Sequence, residues 1–131
     1  MDGCVDVWMN GSKEYNVLSS QCLTVLKDSI ICIEDFAEEV LSKIGKTSEP
    51  NRPKSGYFLI EKCFYNDLRE EKSLDLSEPV MTWLKERPSF GNYSAFRMEM
   101  TRFIDLKIRI GFPYLYVHAG SLNYFRTKCV I

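Results

Sequence analysis

The sequence predicts an α+β fold: a small, largely antiparallel sheet with packed helices. Three observations carry this reading. Ile104-Asp105-Leu106-Lys107-Ile108-Arg109-Ile110 alternates apolar and polar residues over seven positions, the pattern of a half-buried strand. Gly111-Phe112-Pro113 then turns the chain, and residues 114–118 form a second β-prone run, so a hairpin-like pair is expected. Helical spacing behind plausible start signals recurs elsewhere in the chain.

The elements follow in order. Residues 1–14 are polar without a clear period and read as a loose N-terminal segment. Residues 15–131 read as one α+β domain. Residues 15–18 suit a short strand. Ser19 or Ser20 is placed to cap a helix with apolar positions Leu23, Leu26 and Ile30. Residues 30–33 suit either the end of that helix or a strand. Asp35 caps a second helical pattern, with Phe36, Val40 and Ile44 on one face and Gly45 after its end. Residues 45–56 are rich in structure-breaking residues and read as a loop. Residues 57–65 are aromatic and β-prone, one strand followed by the turn signal Asn66-Asp67. Ser77-Glu78-Pro79 starts another helix, with Val80, Trp83, Leu84 and the stem of Arg87 as its buried face and Pro88 as its stop.

Composition narrows the function. Of 131 residues 45% are hydrophobic, enough for a core and too many for a wholly disordered chain. The net charge of −1 hides an asymmetry. Residues 1–50 hold nine acidic and four basic side chains, whereas residues 97–131 hold six basic and two acidic. A basic face can therefore exist locally on a nearly neutral chain. The five cysteines are odd in number and none forms a Cys-x-x-Cys pair, so reduced thiols are expected. No apolar run approaches the roughly 18 residues of a membrane-spanning helix. The N-terminus lacks the basic start of a secretory signal.

Chemistry-bearing motifs are scarce. His118 is the single histidine, and Tyr-Val-His-Ala-Gly-Ser around it has no nucleophile signature. Gly111 and Gly120 are isolated, so no phosphate loop exists. The Glu70-Glu71 pair reads as solvated. An enzyme is not expected, nor a small-molecule substrate or a catalytic residue. His118 with Cys129 does not complete a four-ligand zinc site, and a histidine bonded to backbone is the simpler reading. Arg97, Arg102, Lys107 and Arg109 interleave with Phe96, Phe103, Tyr114 and Tyr116. Cations on a rigid strand face suit DNA phosphates, although the outer face of any sheet also carries such residues.

Three segments carry a family resemblance. Ser55-Gly56-Tyr57-Phe58-Leu59-Ile60, followed by Phe64-Tyr65-Asn66-Asp67-Leu68-Arg69, resembles the "FYND" segment of the snRNA-activating protein complex subunit 3 family. Asp75-Leu76-Ser77 and the Trp83 helix stand where that family has its "DLS…W" helix. Arg97-Met98-Glu99, Thr101-Arg102-Phe103, Asp105-Leu106 and Gly111-Phe112-Pro113-Tyr114-Leu115-Tyr116-Val117-His118 resemble its central signature. The similarity spans about Leu18 to Gly120 and is densest after residue 55.

The resemblance implies a nuclear subunit of a complex that binds the proximal sequence element of small nuclear RNA promoters. Such a complex serves transcription by RNA polymerases II and III. Its expected partners are the other subunits and promoter DNA, with no membrane. Arg97, Arg102, Lys107 and Arg109 are the expected DNA contacts. The alternative is a protein–protein interaction module of that complex without DNA contact, docking through Tyr57, Phe64 and Tyr65. The family continues with a His-x-Gly-x-Cys-x-His metal cluster and a cysteine-rich region. Here His118 and Gly120 are kept, while Leu122 and Tyr124 replace the cysteine and histidine. The resemblance therefore implies a chain truncated at its C-terminus, incomplete in its metal-binding region and without a bound metal or other cofactor.

Overall fold

In a computed structural model, residues 3–9, 13–30, 55–119 and 124–131 are described; for Lys13, Ala119 and residues 124–130 the description is of the backbone. The helix expected after Asp35, most of the 45–56 loop, and Gly120 to Asn123 lie outside the described residues.

The fold is α+β, as expected. Among the described residues seven strands form one sheet: β1 (Cys4–Met9), β2 (Lys13–Leu18), β3 (Gly56–Ile60), β4 (Cys63–Asn66), β5 (Ser94–Arg97), β6 (Pro113–Ala119) and β7 (Tyr124–Val130). Their order is β2-β1-β7-β6-β3-β4-β5. Every pair is antiparallel except β4 with β5, which is parallel. Among the described residues two helices, α1 (Leu23–Ser29) and α2 (Glu78–Lys85), pack against it.

Alternation along the central strands divides the core in two. Phe58 and Ile60 of β3, with Tyr114 and Tyr116 of β6, join Val7, Met9 and Val17 under Leu23 and Leu26 of α1. Tyr57, Phe64 and Val117 point to the opposite face and meet Leu84 of α2. Both faces of β3 are covered, which is why Tyr57-Phe58-Leu59-Ile60 is a continuous apolar run. Phe58 stacks on Tyr116 at 4.6 Å, and Tyr57 meets Phe64 edge-on at 5.2 Å.

Several expectations need correction. Residues 4–9, read as part of a loose segment, form β1 with Val7 and Met9 buried. Residues 57–65 are two strands, because Glu61 and Lys62 take φ of 47° and 65° and close a two-residue hairpin turn. The cap of α1 is Cys22, without a side-chain bond, and not Ser19 or Ser20. On α2, Val80 and Trp83 are exposed, while Leu84 is buried and Met81 packs beside it.

The largest correction concerns residues 104–110, which form no strand. Phe103–Asp105 is a 3-10 turn and residues 106–109 follow irregularly. Partners near and far in the same chain take the backbone donors. Asp105 N–H bonds Arg102 O, Leu106 N–H bonds Phe103 O, and Ile104 N–H reaches Ser19 O. Leu106 and Ile108 lean on the core, so part of the alternation reports burial, but Ile104 and Ile110 are exposed. The strand β6 pairs instead with β3 and β7. The expected hairpin between 104–110 and 114–118 is therefore absent.

Candidate nucleic-acid interface

The four cations singled out above are all exposed, and each is held differently. Arg97 ends β5 opposite Asn66, its Nε 3.9 Å from Glu99 Oε1. Arg102 precedes the 3-10 turn Phe103–Asp105. Its backbone N–H donates to Asp105 Oδ2 at 3.2 Å, and its guanidinium lies 3.4 Å from both carboxylate oxygens. These bonds hold the Asp105 carboxyl below its ordinary value. Lys107 is exposed and forms no ion pair among the described residues.

Arg109 has the most ordered setting. Its Nε donates to Glu61 Oε1 at 2.7 Å and its Nη2 to Glu61 Oε2 at 3.3 Å. The Tyr114 hydroxyl donates to Glu61 Oε1 at 2.7 Å and accepts from the Arg109 backbone N–H at 2.8 Å. The guanidinium lies over the Phe112 ring, 3.5 Å from its centroid. Hydrogen bonds from Arg109 and then Tyr114 lower the Glu61 carboxyl. The Glu61 bonds in turn raise the Arg109 guanidinium. Thus three of the four cations already face a carboxylate, and Lys107 with Arg109 do not share the strand face that alternation suggested.

A second constellation escaped sequence reasoning. Asp67 is buried at the end of β4, where a turn was expected. Lys27 of α1, also buried, places Nζ 2.7 Å from Asp67 Oδ2. Arg69 bonds both Asp67 oxygens and forks onto Asp28 at 2.8 and 2.7 Å. Burial raises the Asp67 carboxyl, but the bonds from Arg69 and Lys27 overcome it and bring it down to about 2. Next to this pair, Asn66 Nδ2 donates to Ser77 Oγ at 2.9 Å, and Asp75 Oδ1 accepts from the Ser77 hydroxyl, the Ser77 N–H and the Glu78 N–H. Leu74 N–H bonds Ser55 Oγ, and Asp67 N–H bonds Gly56 O. The Ser-Gly, FYND and DLS motifs therefore meet at one place, joining α1, the β3–β4 hairpin and α2. Their common role here is architectural.

The aromatics expected to dock partners are also internal. Tyr57 and Phe64 are buried, and Tyr65 is half-buried against Phe96. Trp83 and Phe90 are an exposed aromatic pair, 5.4 Å apart, with the Arg87 guanidinium 4.0 Å over the indole. His118 is buried and parallel to Tyr116 at 5.3 Å. Among the described residues no group of three metal-ligating side chains comes together, so His118 is not joined there by the partners a zinc tetrahedron needs.

An α+β sheet whose Ser-Gly, FYND and DLS motifs interlock through Asn66, Ser77 and Asp75 is the frame beside which the exposed cations stand. The family described as snRNA-activating protein complex (SNAPc), subunit 3, matches residues 13–124. The chain belongs to that family. It is 37% identical over 121 residues to the snRNA-activating protein complex subunit 3 of Rattus norvegicus and, equally, of Mus musculus. The Bos taurus protein is 34% identical over 116 residues. Each match covers 82% of this chain and 28% of the relative.

Proposed function

We propose that this chain acts in the nucleus as a subunit of a promoter-binding complex that recognises the proximal sequence element of small nuclear RNA genes. That complex supports transcription by RNA polymerases II and III. The chain spans 28% of the length of its mammalian relatives. In this reading the promoter-binding activity belongs to the assembly, with other subunits supplying further contacts. Family membership supports the setting, and the exposure of Arg97, Arg102, Lys107 and Arg109 supports phosphate contact. Phosphate contacts supply affinity and position, while sequence is read by base contacts.

The test is charge reversal. The double variant Lys107→Glu/Arg109→Glu should weaken promoter binding by the assembled complex and flatten its dependence on salt, because fewer counterions are released. Unchanged affinity and slope would show that this segment does not touch DNA.

A second reading is a protein–protein module without DNA contact. The Trp83, Arg87 and Phe90 cluster favours it, since exposed Trp and Arg are common anchors at interfaces. Crosslinking the complex to promoter DNA separates the two: crosslinks from residues 97–110 support the first. We further propose that the chain holds no complete zinc site and needs no cofactor. Leu122 and Tyr124 stand where the family has metal ligands, and stoichiometric tightly held zinc in the purified protein would overturn this.

A further inference from the structure

We propose that the corner formed by Arg109, Tyr114 and Phe112 is a phosphate seat that Glu61 keeps closed in the free protein. This rests on the DNA reading above and names the regulation of that contact. Three donors converge on one carboxylate: Arg109 Nε, Arg109 Nη2 and the Tyr114 hydroxyl. A carboxylate and a phosphodiester each offer two anionic oxygens to the guanidinium fork. Stacking on Phe112 fixes the plane of the fork, and the bond from Arg109 N–H orients the Tyr114 hydroxyl. The seat is therefore built before any ligand arrives.

Glu61 is suited to leave it. The residue occupies the first position of the two-residue β3–β4 turn, and its side chain is 36% exposed. Its rotamers can carry the carboxylate into water without moving a strand. The other carboxylate partners differ. Asp105 sits at 3.4 Å from Arg102 and is tied to the backbone of the same turn, and Glu99 lies 3.9 Å from Arg97. Neither has a third donor from a buried tyrosine.

An entering phosphate must displace Glu61, whose charge cancels that of Arg109. The Arg109 contact then contributes less to binding and to its salt dependence than an arginine without a carboxylate partner would. Removing the carboxylate charge restores the contribution. In the assembled complex, Glu61→Gln should bind promoter DNA several-fold more tightly. Its log–log salt dependence should steepen by up to about 0.9, the value of one additional neutralised phosphate. Glu61→Ala should behave alike, which separates the charge effect from a fault in the turn. The gain should vanish in Glu61→Gln/Arg109→Gln, and Tyr114→Phe should reduce it. If Glu61→Gln and Glu61→Ala leave affinity and slope unchanged while Lys107→Glu/Arg109→Glu weakens binding, the gating role is wrong and the DNA reading stands. If none of these variants alters binding, both fall.

Discussion

Asn66 reaches from the end of β4 to Ser77 at the start of α2, Nδ2 to Oγ 2.9 Å apart, with both residues buried. The Ser77 hydroxyl in turn donates a hydrogen bond to Asp75 Oδ1 at 2.6 Å. The two most recognisable motifs of the chain are thus halves of one hydrogen-bonded joint. Replacing Asn66 with Ala should cost about 1–3 kcal/mol, because Ser77 loses its donor in a dry site. Ser77→Ala should cost a similar amount. Denaturant unfolding of the double variant should show less than the sum, the sign of direct coupling.

The Lys27–Asp67–Arg69 group makes stability depend on acid. Asp67 is lowered from 3.8 to about 2 in the folded chain. A depressed carboxyl contributes fully above its unfolded value and loses that contribution as pH falls through the folded one. The loss should therefore occur between about pH 4 and pH 2, and amount to about 2 kcal/mol. Asp67→Asn should remove most of this acid sensitivity. It should also cost about 3 kcal/mol at neutral pH, because Lys27 is left buried without its counter-charge. Unfolding followed against pH in both proteins checks the two statements together.

Gly56 is required by close approach. A Cβ there would stand 2.9 Å from Val117 O, 3.2 Å from His118 Cβ and 3.3 Å from Lys27 Cε. The nearest of these is backbone of the central strand and cannot yield cheaply. Gly56→Ala should destabilise by about 1–3 kcal/mol. Thermal unfolding would report it.

The helix α2 offers an internal contrast. Leu84 is 9% exposed and Trp83 46% exposed. Leu84→Ala should cost about 2–5 kcal/mol as a core truncation. Trp83→Ala removes ring contacts with Phe90 and Arg87 and should cost only about 1 kcal/mol. Equal losses in denaturant unfolding would mean that Trp83 is covered in solution.

Much of the architecture was legible where local pattern and tertiary environment agree. The strand at 15–18, the apolar strand beginning at residue 57 and the helix after Ser77 lie close to where spacing and start signals put them. The hairpin turn was hidden because Glu61-Lys62 lacks the Asn-Gly chemistry that usually marks positive φ. In β1, Val5, Val7 and Met9 alternate with Cys4, Asp6 and Trp8, but the run is short and the apolar Trp8 blurs its period. Residues 104–110 show the opposite failure. Alternation records which side chains face the core, whereas a strand also needs a neighbour with free backbone groups. Here Ser19, Arg102 and Phe103 carbonyls take those bonds. The cations of the candidate interface were visible as residue types. Their carboxylate partners were not, since Arg109 and Glu61 are 48 positions apart. The Lys27–Asp67 pair was invisible for the same reason.

The hairpin of β1 and β2 joins the rest of the sheet through β7, by the two pairs Trp8↔Val130 and Met9↔Cys129. Its place in the sheet thus depends on a strand made more than a hundred residues later in synthesis. Contacts of such sequence separation slow folding, because loop closure must precede their reward. On the ribosome the β1–β2 hairpin can form early, but it waits with an unpaired edge until β7 emerges. Strand order thus sets the two sides of this seam far apart in sequence, and β1 completes that edge only after β7 has been made.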